Sequence, residues 1–278
     1  MIVVTGATGN VGRPLVRALV TAGEQVTAVS RGAAAPDTPG QVRHQRADLA
    51  EPASLAPVFD GAAALFLLTS GDRLATGGGP EVIADILHTA RAGGVRRVVP
   101  LSSQGVGTLR HPPDLEDAVR RSGLEWTILR PGGFHSNTLA WADLVRAQRV
   151  VAAPFGDVAL PTVDPADIAE VAAVALREPG HDGATYELTG PALISPHHQA
   201  MAIADALGEP VRFVEQSRDE ARAELLRFMP EPVVAATLDI LGTPSAAEQR
   251  VSPDVERVLG RPPRPFADWA ARHIAAFR

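Results

Sequence analysis

Residues 3–19 read VVTGATGNVGRPLVRAL, and this stretch decides how the rest of the chain is parsed. A β-branched run breaks into a turn carrying Gly6, Gly9 and Gly12, and the turn opens straight into a helical pattern. Each glycine has a separate physical task. Gly6 permits the tight turn, Gly9 lets the backbone approach a pyrophosphate, and Gly12 lets helix and strand pack closely. The helix start then offers N–H groups and a partial positive charge to an anion. Thr8, Asn10 and Val11 lie inside the same turn and are counted with it as dinucleotide-binding. A structural turn with no ligand is the plain alternative, weakened here because strand, turn and helix follow one another.

Outward from that unit, short β-branched runs alternate with Ala/Leu/Arg-rich helical stretches. The pattern predicts strands near 2–5, 25–29, 42–46, 64–68, 97–101, 125–129 and 184–189. Helices are expected near 11–22, 52–58, 80–92, 112–122 and 165–177. Continuous apolar strands alternating with helices point to an α/β fold, a Rossmann-type doubly wound parallel sheet covered on both faces. The whole chain, 1–278, reads as a single dinucleotide-binding domain with a core to about 190. From about 191 to 278 the pattern predicts a smaller, mostly helical C-terminal lobe that takes the substrate. The glycine-rich TGGGP at 76–80 is expected to be a mobile loop.

Composition excludes several functions. Of 278 residues, 45% are hydrophobic and 21% charged, which is ordinary globular usage. The net charge is −6 and no basic stripe appears, so nucleic acid is not an expected partner. No cysteine is present, which removes disulfides and thiolate chemistry. The N-terminus has no basic leader, and no apolar run reaches the roughly 18 residues of a membrane span. A cytoplasmic protein away from membranes is the expectation. All 26 basic residues are Arg, so no Lys can act, and the sole Tyr is Tyr186.

The second strand ends in TAVSRGAAA. An NAD site usually places a carboxylate there, for the ribose 2′-OH. Here the slot holds Ser30, with Arg31 next, and a guanidinium suits a 2′-phosphate. NADP(H) is therefore favoured over NAD(H); a solvated loop arginine is the alternative. Asp48, in RADLAEPASL, can accept from the adenine amino group while Leu49 packs on the ring, or it can cap the following helix. Leu68 and Thr69 fall beside the middle of such a cofactor, and Ser102, Ser103 and Gln104 beside its nicotinamide. His residues show no chelating spacing, and no metal site is expected.

With these residues in hand, the chain resembles the NmrA-like, quinone-oxidoreductase-type branch of the atypical short-chain dehydrogenase/reductases. The likeness rests on TGATGNVG, ADLAEPASLAPVFDGAAALFLL, RRSGLEWTILRPGGFHSNTLAW, TVDPADIAEVAAVAL and the closing VLGRPPRPFADWAARHIAAF. It implies a Rossmann fold and a cofactor at the strand carboxyl ends. It places RPGGFHSN, hence Pro131 and His135, toward the nicotinamide. The family contains working reductases and also regulators that bind the cofactor without turning it over, and its members often pair, so a homodimer is an expectation.

The chain departs from the orthodox pattern of these enzymes, which use Ser with a Tyr-x-x-x-Lys pair as general acid and base. HPPDLE occupies that region. His111 there is a candidate proton relay or substrate contact, or else a surface residue ahead of Pro112 and Pro113. Relatives imply a His and a Glu in this segment, matched by His111 and Glu116. Ser102, His111 and His135 are the candidate catalytic residues, with Phe134, Trp141 and Phe155 as a candidate aromatic wall. Hydride transfer to a quinone needs position more than a strong acid. Three functions stay open: an NADPH-dependent reductase of quinones or related flat conjugated carbonyl compounds, a non-catalytic NADP(H) sensor, and a tailoring enzyme acting on an aromatic natural product.

Overall fold

The computed structural model describes residues 1–32, 40, 42–69 and 79–278. Its strands are β1 (Ile2–Thr5), β2 (Val26–Ser30), β3 (Arg43–Arg46), β4 (Ala64–Leu67), β5 (Arg97–Pro100), β6 (Glu125–Pro131), β7 (Val150–Pro154), β8 (Ala184–Leu188) and β9 (Arg212–Gln216). Seven of them form one sheet in the order β3-β2-β1-β4-β5-β6-β8. β1 through β6 run parallel, with Val3 opposite Thr27 on one side and Leu65 on the other. β1 and β4 are buried along their whole length, as continuous apolar runs should be in a covered parallel sheet. β3, reading RHQR, is charged and partly exposed, which suits an edge strand. The strand order reverses between β1 and β4, so the glycine turn after β1 opens at the switch point of the sheet.

Crossover helices Gly12–Thr21, Pro80–Ala92, Asp114–Arg121 and Pro165–Arg177 follow the apolar periodicity that predicted them. The helix expected at 112–122 starts two residues late, since Pro113 disfavours the helical conformation at the residue before it. The one expected at 52–58 divides into a 3₁₀ turn, Pro52–Leu55, and a single α turn, Ala56–Phe59. On one sheet face Val3, Val29, Leu65, Leu67 and Val98 pack with Phe59, Ile83, Ile86, Leu87 and Val119. The glycine-rich segment at 76–80 lies, up to Gly78, outside the described residues; Gly79 sits at the N-cap of the helix Pro80–Ala92.

The chain divides into two compact units. The first holds Met1–Pro131, Pro165–Glu187 and Arg257–Gly260; the second holds Gly132–Asp164, Leu188–Glu256 and Arg261–Arg278. The smaller unit is built from three separate segments. It takes in 132–164 because β7 pairs in parallel with β9, Val150 opposite Arg212, a pairing far apart in sequence. Its main cluster gathers Val151, Ile203, Phe266, Trp269 and Phe277. Among the described residues, no helix is long and apolar enough to cross a membrane.

Candidate functional site

The glycine turn is built as its residue types require. Gly6 has φ +63°, the left-handed region, and a Cβ there would also meet Leu68 Cδ2 at 2.3 Å. Thr5 Oγ1 ties the two strand ends together, its one proton within reach of both the Phe66 and Leu68 carbonyls while it accepts from Leu68 N at 2.8 Å. A Cβ on Gly12 would fall 2.1 Å from Gly6 O and 2.7 Å from Ala7 Cα. A Cβ on Gly9 would meet only Gly6 O, at 3.3 Å. Ala7 and Val11 are buried and Asn10 is exposed, so the rim Thr8–Asn10 faces outward. No side chain caps the helix at Val11, and its first turn carries no acidic residue. Arg13 Nη2 donates to the Thr8 carbonyl at 3.2 Å on this rim, and the helix start with its dipole forms a cradle that fits a pyrophosphate.

At the end of β2, Ser30 is nearly buried, with Oγ 2.9 Å from His44 Nε2 on the neighbouring strand and donating to the Gly32 carbonyl at 3.1 Å. Arg31 is exposed beside it. Asp48 Oδ1 accepts from Ala50 N at 3.0 Å, closing a turn of its own rather than capping the helix that starts at Pro52. Leu49 is half-buried against the core of this unit.

The end of β5 carries the densest polar group. Ser102 Oγ donates to Glu116 Oε1 at 2.7 Å. The Glu116 carboxylate also accepts two bonds from Arg130, at 2.8 and 2.7 Å, and one from Arg120 at 2.8 Å. Glu116 is fully buried, and burial alone would push its pKa up. The donors Arg130 and Ser102, the Arg130 charge and Arg120 outweigh that and hold it below the usual carboxylate value. The same pairing raises the Arg130 guanidinium. Ser103 caps the short helix Gln104–Gly107, its Oγ accepting from Gly105 N at 3.1 Å, and lies 3.2 Å from His111 Nδ1. The His111 ring rests on Gly105, where a Cβ would meet Nδ1 at 2.5 Å. Gln104 and Pro131 are buried nearby in sequence on the same unit.

His135 belongs to the second unit and is 1% exposed. Its Nε2 donates to the Thr162 carbonyl at 2.9 Å, and its ring stands edge-on to Phe266 at 5.2 Å. Packed this way it holds the fold of its unit, which sets it apart from Ser102 and His111. The expected aromatic wall divides too: Trp141 packs on the cluster around Trp269, Phe155 on the one around Leu238. Tyr186 pairs with His181 Nδ1 at 2.8 Å. Sequence reasoning missed Arg130, the residue that holds Glu116. Its one signal was a charged side chain closing the apolar run TIL in β6. It also missed His44, whose contact to Ser30 depends on strand pairing.

Comparison with known proteins places this geometry. A family model described as NAD(P)H-binding matches residues 6–179, from the first turn glycine to two residues past the last crossover helix. Over the full chain, and 99% of its own length, a (4-alkanoyl-5-oxo-2,5-dihydrofuran-3-yl)methyl phosphate reductase from Streptomyces griseus is 38% identical. An NAD(P)H azoreductase from Xenophilus azovorans is 32% identical over the full chain and 99% of itself. Among solved structures, an NADPH-dependent quinone oxidoreductase from Escherichia coli, complexed with NADPH, shares the fold with a TM-score of 0.78 at 23% identity, covering 98% of this chain and 99% of that one. A matched dinucleotide turn at the switch point and full-length reductase relatives lead to one family: the chain belongs to the NAD(P)H-binding family and is an NAD(P)H-dependent oxidoreductase.

Proposed function

We propose that the protein uses NADPH to reduce quinones and related flat conjugated carbonyl compounds by direct hydride transfer. The observation that carries this reading is the lock on Ser102: its proton is given to the buried Glu116 carboxylate. A serine hydroxyl has a single proton. Ser102 can therefore accept from a ligand, but it is not the donor to a substrate oxygen that an alcohol dehydrogenase would need. With no Lys in the chain, the remaining chemistry suits acceptors electrophilic enough to take a hydride without a strong acid. The name of the Streptomyces griseus relative describes such an acceptor, a ring C=C conjugated to two carbonyls.

In this reading Gly6, Thr8, Gly9, Asn10, Val11 and Gly12 hold the pyrophosphate, and Ser30 with Arg31 receives the 2′-phosphate. Asp48 and Leu49 flank the adenine, Leu68 and Thr69 the middle, and Ser102, Ser103, Gln104 and Pro131 the nicotinamide end. When bound, the reduced nicotinamide supplies the hydride. Ser103 Oγ and His111 Nδ1 lie 3.2 Å apart, within reach of one shared proton. His111 delivers the proton that neutralises the oxygen of the reduced substrate.

Two variants test the parts. Arg31→Ala should weaken NADPH about tenfold by calorimetry, with NADH changed less than about twofold, since only the 2′-phosphate uses the guanidinium. Equal loss for both coenzymes would refute the assignment. His111→Ala should lower kcat about a hundredfold, within the range of a lost general acid. Unchanged turnover would mean that water supplies the proton. The whole reading is tested by NADPH consumption across quinones, conjugated lactones and a saturated ketone. Turnover confined to the conjugated acceptors is expected. Tight NADPH binding with no turnover on any of them would favour a sensor.

A further inference from the structure

The contact between Ser30 and His44 carries a consequence for coenzyme choice. Ser30 occupies the place where a carboxylate would read the ribose 2′-OH. His44 pairs in register with Ala28, and Ser30 with Arg46, so His44 and Ser30 are diagonal neighbours on one face of the sheet. Their side chains meet at 2.9 Å, Nε2 to Oγ. Ser30 Oγ has one proton and donates it to the Gly32 carbonyl at 3.1 Å. With that proton on Gly32, the contact is made by the tautomer protonated at Nε2, and Nε2–H occupies a lone pair of Oγ. A hydroxyl that receives a hydrogen bond becomes a stronger donor itself. Held this way, Ser30 can turn its proton from Gly32 toward an incoming phosphate oxygen, and it is a poorer acceptor for a 2′-OH.

We infer that His44 is a positioning residue that sets coenzyme choice, acting through Ser30 to favour an acceptor, a 2′-phosphate, over a donor, a 2′-hydroxyl. The inference rests on the NADP(H) reading and adds to Arg31 a residue on a different strand. No charge on His44 is required, only its Nε2–H.

Calorimetric titration of the full chain tests it, with NADPH, NADH, adenosine 2′,5′-bisphosphate and adenosine 5′-diphosphate as probes. His44→Ala should weaken NADPH and the 2′,5′-bisphosphate about tenfold, the effect of losing support for one charge-assisted bond, and leave NADH and the 5′-diphosphate within about twofold. His44→Gln, which keeps an N–H donor, should recover most of the loss. Adding His44→Ala to Ser30→Ala should cost less than about twofold more, because the two act as one unit. His44 is half-buried on an edge strand, so the variant should fold; if it does not, His44→Phe carries the same expectation. An unchanged NADPH/NADH ratio in His44→Ala, or full additivity with Ser30→Ala, would overturn the inference. A parent protein that binds NADH more tightly than NADPH would instead overturn the NADP(H) reading beneath it.

Discussion

Gly12→Ala is expected to lower stability and coenzyme affinity together, while Gly9→Ala lowers affinity with little change in stability. The difference lies in what each added methyl group meets. At Gly12 it would stand 2.1 Å from Gly6 O and 2.7 Å from Ala7 Cα, both backbone, which no rotamer change can relieve. The helix must move off the turn, at about 1–3 kcal/mol, the usual penalty of overpacking. At Gly9 the nearest atom is Gly6 O at 3.3 Å, so the fold needs to yield only a few tenths of an ångström. A loss below about 1 kcal/mol is expected there. The methyl group would instead fill the outward face of the cradle and hold the pyrophosphate off the backbone N–H groups. Losing one or two charge-assisted bonds corresponds to about 2–3 kcal/mol, or roughly a hundredfold in Kd. Thermal unfolding beside NADPH titration separates the two effects. Gly9→Ala with unchanged affinity would show that the anion does not sit on this turn.

Glu116→Ala should be the most destabilising single change at the β5 end, by about 3 kcal/mol in urea unfolding, the low end for a broken buried pair, because it leaves the half-buried Arg130 guanidinium without its partner. Arg130 would lose both of its bonds to the carboxylate, and Ser102 its acceptor. The pH dependence has a definite sign. A carboxyl group whose folded pKa lies below its unfolded value contributes stability above the ordinary value of 4.5 and loses it as pH falls through the folded pKa. The stability gap between the parent and Glu116→Gln should therefore be constant near neutrality and shrink on acidification below pH 4.5. A gap that widens toward acid would contradict the assignment of Glu116 as a buried anion. The conservative variant also bears on function: with Glu116→Gln the Ser102 proton is held less firmly, and turnover should change more than NADPH affinity.

Elements that repeat a local physical rule were legible in the sequence. The strand–turn–helix at 3–19 announced itself through glycine spacing, and the apolar runs of β1, β4 and β5 through continuous burial. What escaped depends on contacts between distant segments. β7 joins β9, so residues 132–164 belong with the second unit, and no local period encodes that pairing. The bidentate bond from Arg130 to Glu116 and the contact from His44 to Ser30 likewise depend on strands that neighbour in space only. The loop position of His135 could be read from the sequence, but not its burial or the edge-on contact of its ring with Phe266. The sequence marked Ser102 as a candidate catalytic residue; that its proton goes to Glu116 is a contact between segments 14 residues apart that no local pattern encodes.

Direct hydride delivery to a conjugated acceptor is tested most directly by isotope transfer. NADPH deuterated at the transferring position would be incubated with the protein and an acyl-substituted conjugated lactone, and the product analysed by mass spectrometry and NMR. The expected product carries one deuterium on the carbon β to the carbonyl, and that carbon–deuterium bond survives in ordinary water. A reduced product free of deuterium at that carbon would contradict direct transfer and the function built on it.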